Sequence, residues 1–469
     1  MRIHFIGIGG IGVSALAQYY LAKGHQVSGS DLNRSEITDL LKEKGTEIFI
    51  GKHKSDNLPK DTDLVIFSPA VKKDNSEYKK VLELKIKCQS YPQALGKLTK
   101  KYFTIAVSGT HGKSTTSSML ALILIKAQLD PTVIIGTKLK EFGNSNFRAG
   151  KSAPRQNPEE AQTPYGVSKF GAGQEYLLIE ADEWQASFLN YWPKIIILTN
   201  IEKEHLDYYK NLNHILRTYK EYVSHLPRNG MLVMNRDDKN ISKLKTQNLK
   251  PYLKIQNFSL KQKETKKLKQ ILKVPGEHNI ENALAALETA RALKIPDEVS
   301  FQALSEYQSA WRRFEISKGS FKNYKLQTIN YKLISDYAHH PTEVLATLKA
   351  TREKFKNKKI WLVFQPHQYQ RTFYLFTEFI NVFQKAQSKL LANKIIITDI
   401  FDVSGREDEK LKKKVSSKKL VEKLESSSII YLEKNKIISY LKDKLKDEDV
   451  IIIMGAGDIY KLGDELSTA

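Results

Sequence analysis

Residues 103–116 read FTIAVSGTHGKSTT, an apolar, β-branched segment that runs directly into a glycine-rich turn containing a lysine. The apolar spacing of Ser114–Ala127 predicts a helix after it, so the turn joins a strand to a helix. Backbone N–H groups of such a turn can surround phosphates, Lys113 can reach the β- and γ-phosphates, and Ser114 can bind Mg²⁺. The strict phosphate-loop pattern has glycine where this chain has Val107. A basic surface turn is the alternative interpretation, but the strand and helix context favours a phosphate site.

A second glycine-rich loop lies at the N-terminus. The predicted strand Ile3–Ile8 leads into Gly7-Ile8-Gly9-Gly10-Ile11-Gly12 and then an apolar helix, and a further strand, Gln26–Ser30, ends at Asp31. This order of elements, with an acid about 20 residues after the glycines, is typical of pyrophosphate-binding loops that use a helix N-terminus. The pattern favours NAD(P). Another nucleotide diphosphate, or glycines that only pack a tight turn, stays open.

Acidic and imidazole side chains follow two further predicted strands. Tyr176–Ile179 is followed by Glu180, and Lys194–Thr199 is followed by a segment that contains His205. Ligands of open α/β sheets gather at the carboxyl ends of strands, and Mg²⁺ prefers oxygen ligands, so Glu180 is a candidate metal ligand. His205 is less clear from spacing alone, because imidazole suits softer metals and such a histidine often caps a helix or packs in a core.

Strand-like and helix-like segments alternate along the whole chain, which predicts an α/β fold built from parallel strands. We expect three domains, over residues 1–98, 99–309 and 310–469, which agrees with a length of 469 residues. Lys151–Gly173 is rich in proline, glycine, glutamine and serine, and we interpret it as a long mobile loop inside the middle domain.

Composition narrows the class of protein further. The net charge of +23 invites a polyanion, but the lysine-rich tract Lys410–Lys423 is typical of a solvated helix face. Cys88 is the single cysteine, so no disulfide forms within the chain. The N-terminus lacks the pattern of a signal peptide, and the apolar runs are far shorter than the roughly 20 residues that span a bilayer. These features predict a cytoplasmic protein without a membrane span.

Nine motifs in this order resemble the Mur ligase family, the ATP-dependent amide ligases of peptidoglycan synthesis. They are GIGGIGVS, GTHGKSTT, EADE, SFLNYWP with TNIEKEHLDYY, GEHNIENALAA, WRRFE, SDYAHHPTE, FQPHQYQRT and GAGDI. Each motif is weak alone, and their order makes the match specific. The resemblance covers essentially the whole chain.

The resemblance implies a Rossmann-like UDP-binding domain, a central P-loop ATPase-type sheet and a C-terminal Rossmann-like α/β domain. Within the family, the motifs favour the branch that joins L-alanine to the lactyl carboxylate of UDP-N-acetylmuramate through an acyl phosphate. The branch that attaches a whole tripeptide is the alternative. The implied cofactors are ATP and Mg²⁺, and the implied roles are cell wall biogenesis, cell shape and cell division. We expect a monomer or homodimer with no nucleic-acid partner.

The family pattern also implies roles for single residues. The expected ATP-binding residues are Gly109, Thr110, His111, Gly112, Lys113, Ser114, Thr115, His278, Asn282, Arg313 and Asp336. The expected UDP-sugar and amino-acid contacts are Gly7, Gly10, Gly12, Asp31, Ser68, His339 and Arg371. The expected Mg²⁺ ligands are Ser114, Glu180 and His205. The expected catalytic residues are Lys113, Glu180, His339 and Arg371.

Two positions bear on this assignment. The family has arginine where this chain has Gln368, and glutamine cannot pair as a cation with the carboxylate of an amino acid. Lys220 lies close to the spacing at which some relatives carry a carbamylated lysine, although a solvated helix lysine is the simpler interpretation.

Two other classes of protein compete with a ligase. An NAD-dependent oxidoreductase would explain the first glycine loop but not the second. A nucleic-acid-stimulated ATPase would explain the charge and the loop at Lys113, yet no RNP, zinc or helix-turn-helix pattern supports it.

Overall fold

The computed structural model describes residues 1–150, 175–246, 253–322, 327–403, 407 and 409–468. The predicted loop Lys151–Gly173 lies outside the described residues. In this part of the chain, strands and helices alternate and the strands form three sheets. The chain folds into two compact units. The first unit is Met1–Lys203, Asn211–Ile271 and Glu281–Tyr307, and the second unit is Glu204–Lys210, Leu272–Ile280 and Gln308–Ala469.

The strands are numbered in chain order. They are β1 (Arg2–Ile6), β2 (Gln26–Asp31), β3 (Glu47–Ile50), β4 (Leu64–Phe67), β5 (Cys88–Ser90), β6 (Phe103–Ser108), β7 (Thr132–Leu139), β8 (Ser145–Arg148), β9 (Tyr176–Glu180), β10 (Ile195–Leu198), β11 (Met231–Asn235), β12 (Lys254–Phe258), β13 (Glu315–Lys322), β14 (Thr328–Asp336), β15 (Ile360–Phe364), β16 (Lys394–Ile397), β17 (Ile429–Tyr431) and β18 (Val450–Met454).

The α-helices are numbered in the same way. They are α1 (Ile11–Ala22), α2 (Glu36–Glu43), α3 (Ser76–Glu83), α4 (Tyr91–Thr99), α5 (Lys113–Lys126), α6 (Leu212–Val223), α7 (Lys239–Thr246), α8 (Glu264–Ile271), α9 (Glu277–Ala292), α10 (Asp297–Glu306), α11 (Pro341–Lys354), α12 (Tyr369–Tyr374), α13 (Phe376–Ser388), α14 (Glu409–Lys412), α15 (Ser417–Leu424), α16 (Ile437–Lys444) and α17 (Tyr460–Thr468). Short 3₁₀ helices cover Ser55–Asn57, Lys140–Phe142, Trp184–Asn190 and Lys434–Lys436.

The strand orders place the glycine-rich loops at the centres of their sheets. Over the described residues, the first sheet has the order β3-β2-β1-β4-β5 and the second β12-β11-β10-β6-β9-β7-β8. The two glycine-rich loops follow β1 and β6. Each of these strands has a neighbouring strand on both sides, and all four pairings are parallel. Such positions are where open α/β sheets bind ligands, beyond the carboxyl ends of their strands.

The third sheet belongs to the second unit and has the order β13-β14-β18-β15-β16-β17 across the described strands. Its central strands are apolar on both faces. Alternate residues of each strand, such as Leu362 and Val363, enter two separate buried clusters on opposite sides of the sheet. A strand covered on both faces reads as a continuous apolar run, which explains why these strands were recognisable from sequence.

The prediction of parallel pairing is confirmed for the strands on which it was made, whereas two antiparallel pairs were not foreseen. β13 pairs antiparallel with β14, and β7 pairs antiparallel with β8. The predicted strand Ile3–Ile8 is also too long at its end. β1 stops at Ile6 because Gly7 takes a φ of 79°, and the N–H groups of Gly7 and Ile8 both donate to the Ser30 carbonyl.

A buried carboxylate on helix α3 connects that helix to the first sheet. Glu77, in α3, is inaccessible to solvent and accepts four side-chain hydrogen bonds, from His4 (3.2 Å), Ser30 (2.6 Å), His53 (3.1 Å) and Asn57 (2.7 Å). Burial alone would raise the pKa of Glu77, but these donors outweigh burial and lower the pKa to about 2. The network therefore ties α3 to β1, β2 and the segment after β3.

We expect Glu77→Gln to lower the free energy of unfolding at pH 7 by about 3 kcal/mol, since it leaves buried donors without their charged acceptor. The folded pKa lies below the unfolded value, so the carboxylate stabilises the fold above about pH 4.5 and stops doing so as the pH falls towards 2. Urea denaturation should show a stability loss of about 2 kcal/mol from this group between pH 6 and pH 3, absent from the variant.

Glu83→Gln is the matched control, because Glu83 lies on the same helix in an exposed pair with Lys80. It should change stability by less than about 0.5 kcal/mol. Equal stability of Glu77→Gln and the wild type at pH 7 would contradict the assigned role of the network.

Candidate active site

The loop between β6 and α5 is shaped by glycines whose positions other residues cannot fill. Gly112 precedes α5 with a φ of 81°, in the left-handed region, and a side chain there would overlap the Asn282 carboxamide. Gly109 has a φ of 134°, and a side chain there would overlap Thr199. The Thr116 hydroxyl donates to Asn282 Oδ1 at 3.2 Å. The structure thus brings together Asn282 and the predicted phosphate loop, Gly109–Thr115, in the first unit.

The Lys113 ammonium is held inside this loop. Its Nζ donates to the carbonyls of Gly109 (2.6 Å) and Thr110 (3.2 Å) and to Glu183 Oε2 (3.0 Å). Burial alone would lower the pKa of Lys113, but the carboxylates of Glu183 and Asp182 raise it above its ordinary value. Lys113 therefore stays a cation at the N-terminus of α5, where phosphate oxygens are favoured.

Glu180, at the end of β9, presents its carboxylate beside the same loop. Its Oε2 accepts from the Ser114 hydroxyl at 3.0 Å, and its Oε1 accepts from the Gly136 N–H at 2.6 Å. A side chain at Gly136 would fall 2.9 Å from the carboxylate, so that position holds the backbone close to it. A hydroxyl and a carboxylate side by side are the oxygen donors that Mg²⁺ prefers, so these residues fit the ion.

Asn200 and Glu202, which follow β10, fix the loop from its other side. Asn200 Oδ1 accepts from the His111 N–H at 2.8 Å, and the Asn200 carbonyl accepts from the Thr110 N–H at 3.0 Å. The Glu202 N–H donates to the Thr110 hydroxyl at 2.8 Å. Sequence reasoning missed Asn200 and Glu183. Their position directly after strands that flank β6 was the signal that could have identified them.

The N-terminal glycine loop is built in the same first unit. Gly7 lies against Ser68, at the end of β4, and a side chain at Gly7 would come within 2.9 Å of Ser68 Cβ. Asp31 Oδ2 accepts from the Gly9 N–H at 2.8 Å. Gly10 is the residue before α1, and Gly12 lies in its first turn. The predicted residues are therefore neighbours, although Asp31 supports the loop through its backbone.

A second set of predicted residues lies in the second unit, around a buried ion pair. Arg371 donates through Nε (2.9 Å) and Nη2 (2.8 Å) to Glu204 Oε1, and through Nη1 to the His367 carbonyl (3.0 Å). Burial alone would raise the pKa of Glu204, but Arg371 and the nearby histidines hold it well below its ordinary value. Arg371 was predicted to face the amino-acid substrate, and the structure pairs it with Glu204.

His339 lies next to this pair as a neutral imidazole. Its Nδ1 is 3.0 Å from the Tyr337 carbonyl and 3.4 Å from Glu343 Oε2. Burial lowers the pKa of His339 to about 3, against the raising effect of Glu343. His278, in the second unit as well, has its pKa lowered to about 4 by burial. Both rings are therefore neutral at pH 7 and accept a proton only from a strongly acidic donor.

Asp336 ends β14 and organises the chain around it. Its carboxylate accepts from the N–H groups of Ala338 (2.8 Å) and Phe314 (3.1 Å) and from the Thr347 hydroxyl (3.2 Å). Burial raises the pKa of Asp336 to about 6 despite these donors. The Arg313 guanidinium lies 4.7 Å from the centre of the Tyr337 ring, and its positive charge acts on Asp336 against the effect of burial.

His205, the third predicted metal ligand, belongs to the second unit and has a φ of 53°. Its carbonyl accepts from the N–H groups of Tyr208 (2.9 Å) and Tyr209 (2.8 Å), which makes a tight turn. The metal role of His205 and the carbamylation of Lys220 stay predictions.

Three family profiles match consecutive parts of the chain. They are the Mur ligase family catalytic domain over residues 2–103, the Mur ligase middle domain over residues 107–290, and the Mur ligase glutamate ligase domain over residues 312–457. The chain belongs to the Mur ligase family. The family resemblance and the three-sheet α/β architecture expected from it are therefore confirmed.

Mur ligases of the same length are similar to this chain along nearly all of it. A UDP-N-acetylmuramate–L-alanine ligase of Clostridium novyi is 37% identical, with 99% of this chain and 96% of that protein covered. The enzyme of the same name from Acetivibrio thermocellus is 38% identical, with 99% and 95% covered. The solved UDP-N-acetylmuramate–alanine ligase of Thermotoga maritima has a TM-score of 0.74 at 26% identity and covers 100% of this chain and 98% of its own.

A murein peptide ligase from Psychrobacter arcticus is also similar in structure. Its TM-score is 0.69 at 22% identity, with 100% of this chain and 98% of that chain covered. At that identity the similarity shows the fold alone.

We expect Gly112→Ala to abolish nucleotide binding, because a methyl group there overlaps Asn282 and the left-handed backbone is strained for alanine. Titration calorimetry with ADP should show at least a hundredfold weaker binding. Gly143→Ala is the control, since Gly143 also has a positive φ (67°) but has nothing within 4 Å of the added methyl. ADP affinity within threefold of the wild type in Gly112→Ala would contradict the geometry of the loop.

Proposed function

We propose that this chain is an ATP-dependent ligase that joins L-alanine to the lactyl carboxylate of UDP-N-acetylmuramate. The enzyme class follows from 37% identity over 99% of the chain to an L-alanine ligase, together with a family profile over each sheet region. The observation that supports catalysis is the charge arrangement at one loop. Lys113 stays cationic on Glu183, while Glu180 and Ser114 present oxygens beside it.

In the first step, an oxygen of the lactyl carboxylate attacks the γ-phosphorus of ATP. The bond between the γ-phosphorus and the oxygen that bridges it to the β-phosphate breaks. ADP is released, and the carboxylate has become an acyl phosphate. Lys113 can neutralise negative charge on the transferring phosphoryl group, and the loop N–H groups orient it. Ser114 and Glu180 would hold Mg²⁺, which supplies further charge neutralisation when bound. Gly109 and Gly112 leave the backbone open to the phosphates.

In the second step, the amine of L-alanine attacks the acyl carbon, an amide bond forms, and inorganic phosphate leaves. The attacking nitrogen must lose a proton. His339 is neutral, and because burial lowers its pKa to about 3 it can accept a proton only from the amine nitrogen as bond formation makes that nitrogen acidic. The lowered pKa keeps His339 unprotonated across the whole working pH range.

Gln368 and Arg371 determine how the acceptor is held. Gln368 carries no charge, and Arg371 is 9% exposed and bonded to Glu204. Both features predict weak binding of the alanine carboxylate, and therefore a high KM for L-alanine rather than a low kcat. A peptide acceptor, as in tripeptide-attaching ligases, is the alternative.

Phosphate release with UDP-N-acetylmuramate, ATP and Mg²⁺ tests the function against a panel of acceptors. We expect release with L-alanine that exceeds release with glycine, L-serine or the tripeptide L-alanyl-γ-D-glutamyl-meso-diaminopimelate. Faster release with the tripeptide would move the chain to the tripeptide-attaching branch. No acceptor-dependent release would reject the ligase assignment.

Lys113→Ala should reduce phosphate release at least a thousandfold, because the transferring phosphoryl group loses its fixed cation. Lys126→Ala is the control at the other end of the same helix, where Lys126 forms a partly exposed pair with Glu306. It should keep activity within about twofold of the wild type. Comparable loss in both variants, or in neither, would contradict the role of Lys113.

The divalent ion, the cellular compartment and the oligomeric state are part of the same proposal. Mg²⁺ is the divalent ion, and the reaction belongs to precursor synthesis in the cytoplasm, where both nucleotides occur and the single cysteine, Cys88, needs no partner. Within the described residues, no helix is both long and apolar enough to cross a membrane. We propose a monomer or homodimer whose substrates are small molecules.

A further inference from the structure

Tyr91 opens helix α4 and is held there by the helix itself. The Ser90 hydroxyl accepts from the Gln93 N–H, the Gln93 side chain accepts from the Ser90 N–H, and Pro92 occupies the first turn. This capping box, with proline in the first turn, fixes the start of α4. The backbone direction of Tyr91 is therefore set locally.

The other end of α4 is fixed by close backbone packing. A side chain at Gly96 would overlap the Asn190 carbonyl, so α4 touches the backbone of the 3₁₀ segment Trp184–Asn190. That segment follows Glu180, Asp182 and Glu183 in the chain. Helix α4 is consequently held both at its start, where Tyr91 lies, and at Gly96 against the Trp184–Asn190 segment, all within the first unit.

The phenol of Tyr91 lies against the N-terminal glycine loop. A side chain at Gly12 would fall 2.7 Å from the Tyr91 hydroxyl and 2.8 Å from Tyr91 Cζ. Gly12 is thus required for the close approach of this ring, whether or not it also contacts a ligand. Gly12 lies in the first turn of α1, so the hydroxyl is next to the positive end of the helix.

The hydroxyl is a donor that the protein itself leaves available. Among the described residues, the Tyr91 hydroxyl has no hydrogen-bond partner, although Tyr91 is partly buried. Burial, with the negative charges of Glu180 and Asp182, raises the pKa of Tyr91, so the proton stays on the oxygen. A protonated hydroxyl beside a helix N-terminus is suited to donate to an anionic oxygen of a ligand.

We propose that the Tyr91 hydroxyl donates a hydrogen bond to an anionic oxygen of the UDP-sugar beside the glycine loop at Gly12. This inference rests on the proposed function and adds a substrate-binding residue to it. The oxygen belongs either to the diphosphate or to the lactyl carboxylate, and both are negative acceptors at neutral pH.

Titration calorimetry on the full chain tests the contact with three ligands: UDP-N-acetylmuramate, UDP and ADP. Tyr91→Phe removes only the hydroxyl, and we expect about tenfold or more weaker binding of UDP-N-acetylmuramate, as for a lost hydrogen bond to a charged group. The affinity for ADP should stay within twofold of the wild type. If Tyr91 only supported the fold, its substitution would weaken ADP binding as well. Equal weakening for UDP assigns the diphosphate, and unchanged UDP binding assigns the carboxylate.

Tyr20→Phe is the matched control. Tyr20 lies on α1, the helix that contains Gly12, about 12 Å along the axis from Gly12, and its hydroxyl has no hydrogen-bond partner among the described residues either. It should bind all three ligands as the wild type does. Gly12→Ala, which displaces the phenol, should reproduce the loss seen in Tyr91→Phe.

Unchanged affinity of Tyr91→Phe for UDP-N-acetylmuramate would overturn the inference while leaving the proposed function in place. Weakened ADP binding to the same degree would also overturn it, because the effect would then be structural. A wild-type chain that binds ADP but not UDP-N-acetylmuramate would overturn both the inference and the proposed function.

Discussion

The ion pair between Lys113 and Glu183 is the interaction on which the candidate active site depends. A buried ammonium is tolerated only with a nearby opposite charge, and Glu183 Oε2 supplies it at 3.0 Å. The pair ties the loop after β6 to the segment after β9. Once these are joined, Ser114 meets Glu180, and the loop after β10 closes on His111 through Asn200. One charge requirement therefore assembles three strand ends into one site.

Carboxylates also hold the other two candidate ligand-binding regions, with different partners. In the first sheet, Asp31 accepts from the Gly9 N–H and so supports the N-terminal glycine loop without using its charge on another side chain. In the second unit, Glu204 neutralises the buried Arg371 and so anchors the segment Glu204–Lys210 within that unit. Each loop expected to bind a ligand is thus held by a carboxylate that follows or ends a strand.

The sequence was sufficient for features encoded over a few residues. Continuous apolar strands, the turns at Gly7 and Gly112, and Glu180 at a strand end follow local patterns, and the structure has each of them. The partners Glu183, Asn200 and Glu204 were missed because they act by meeting residues far away in the chain. Strand β13 was missed because its exposed, alternating side chains lack an apolar run. Arg371 was identified because it lies in a motif, but its partner, Glu204, could not be predicted from that motif.

The central claim is that the carboxylate of UDP-N-acetylmuramate attacks the γ-phosphate of ATP to form an acyl phosphate. The most direct test is to label both carboxylate oxygens with ¹⁸O and to follow the inorganic phosphate by mass spectrometry during turnover with L-alanine. We expect one ¹⁸O atom in each phosphate released, because the oxygen that attacked phosphorus leaves with it. Phosphate without ¹⁸O, or label that appears in AMP instead, would exclude an acyl phosphate formed by attack on the γ-phosphate.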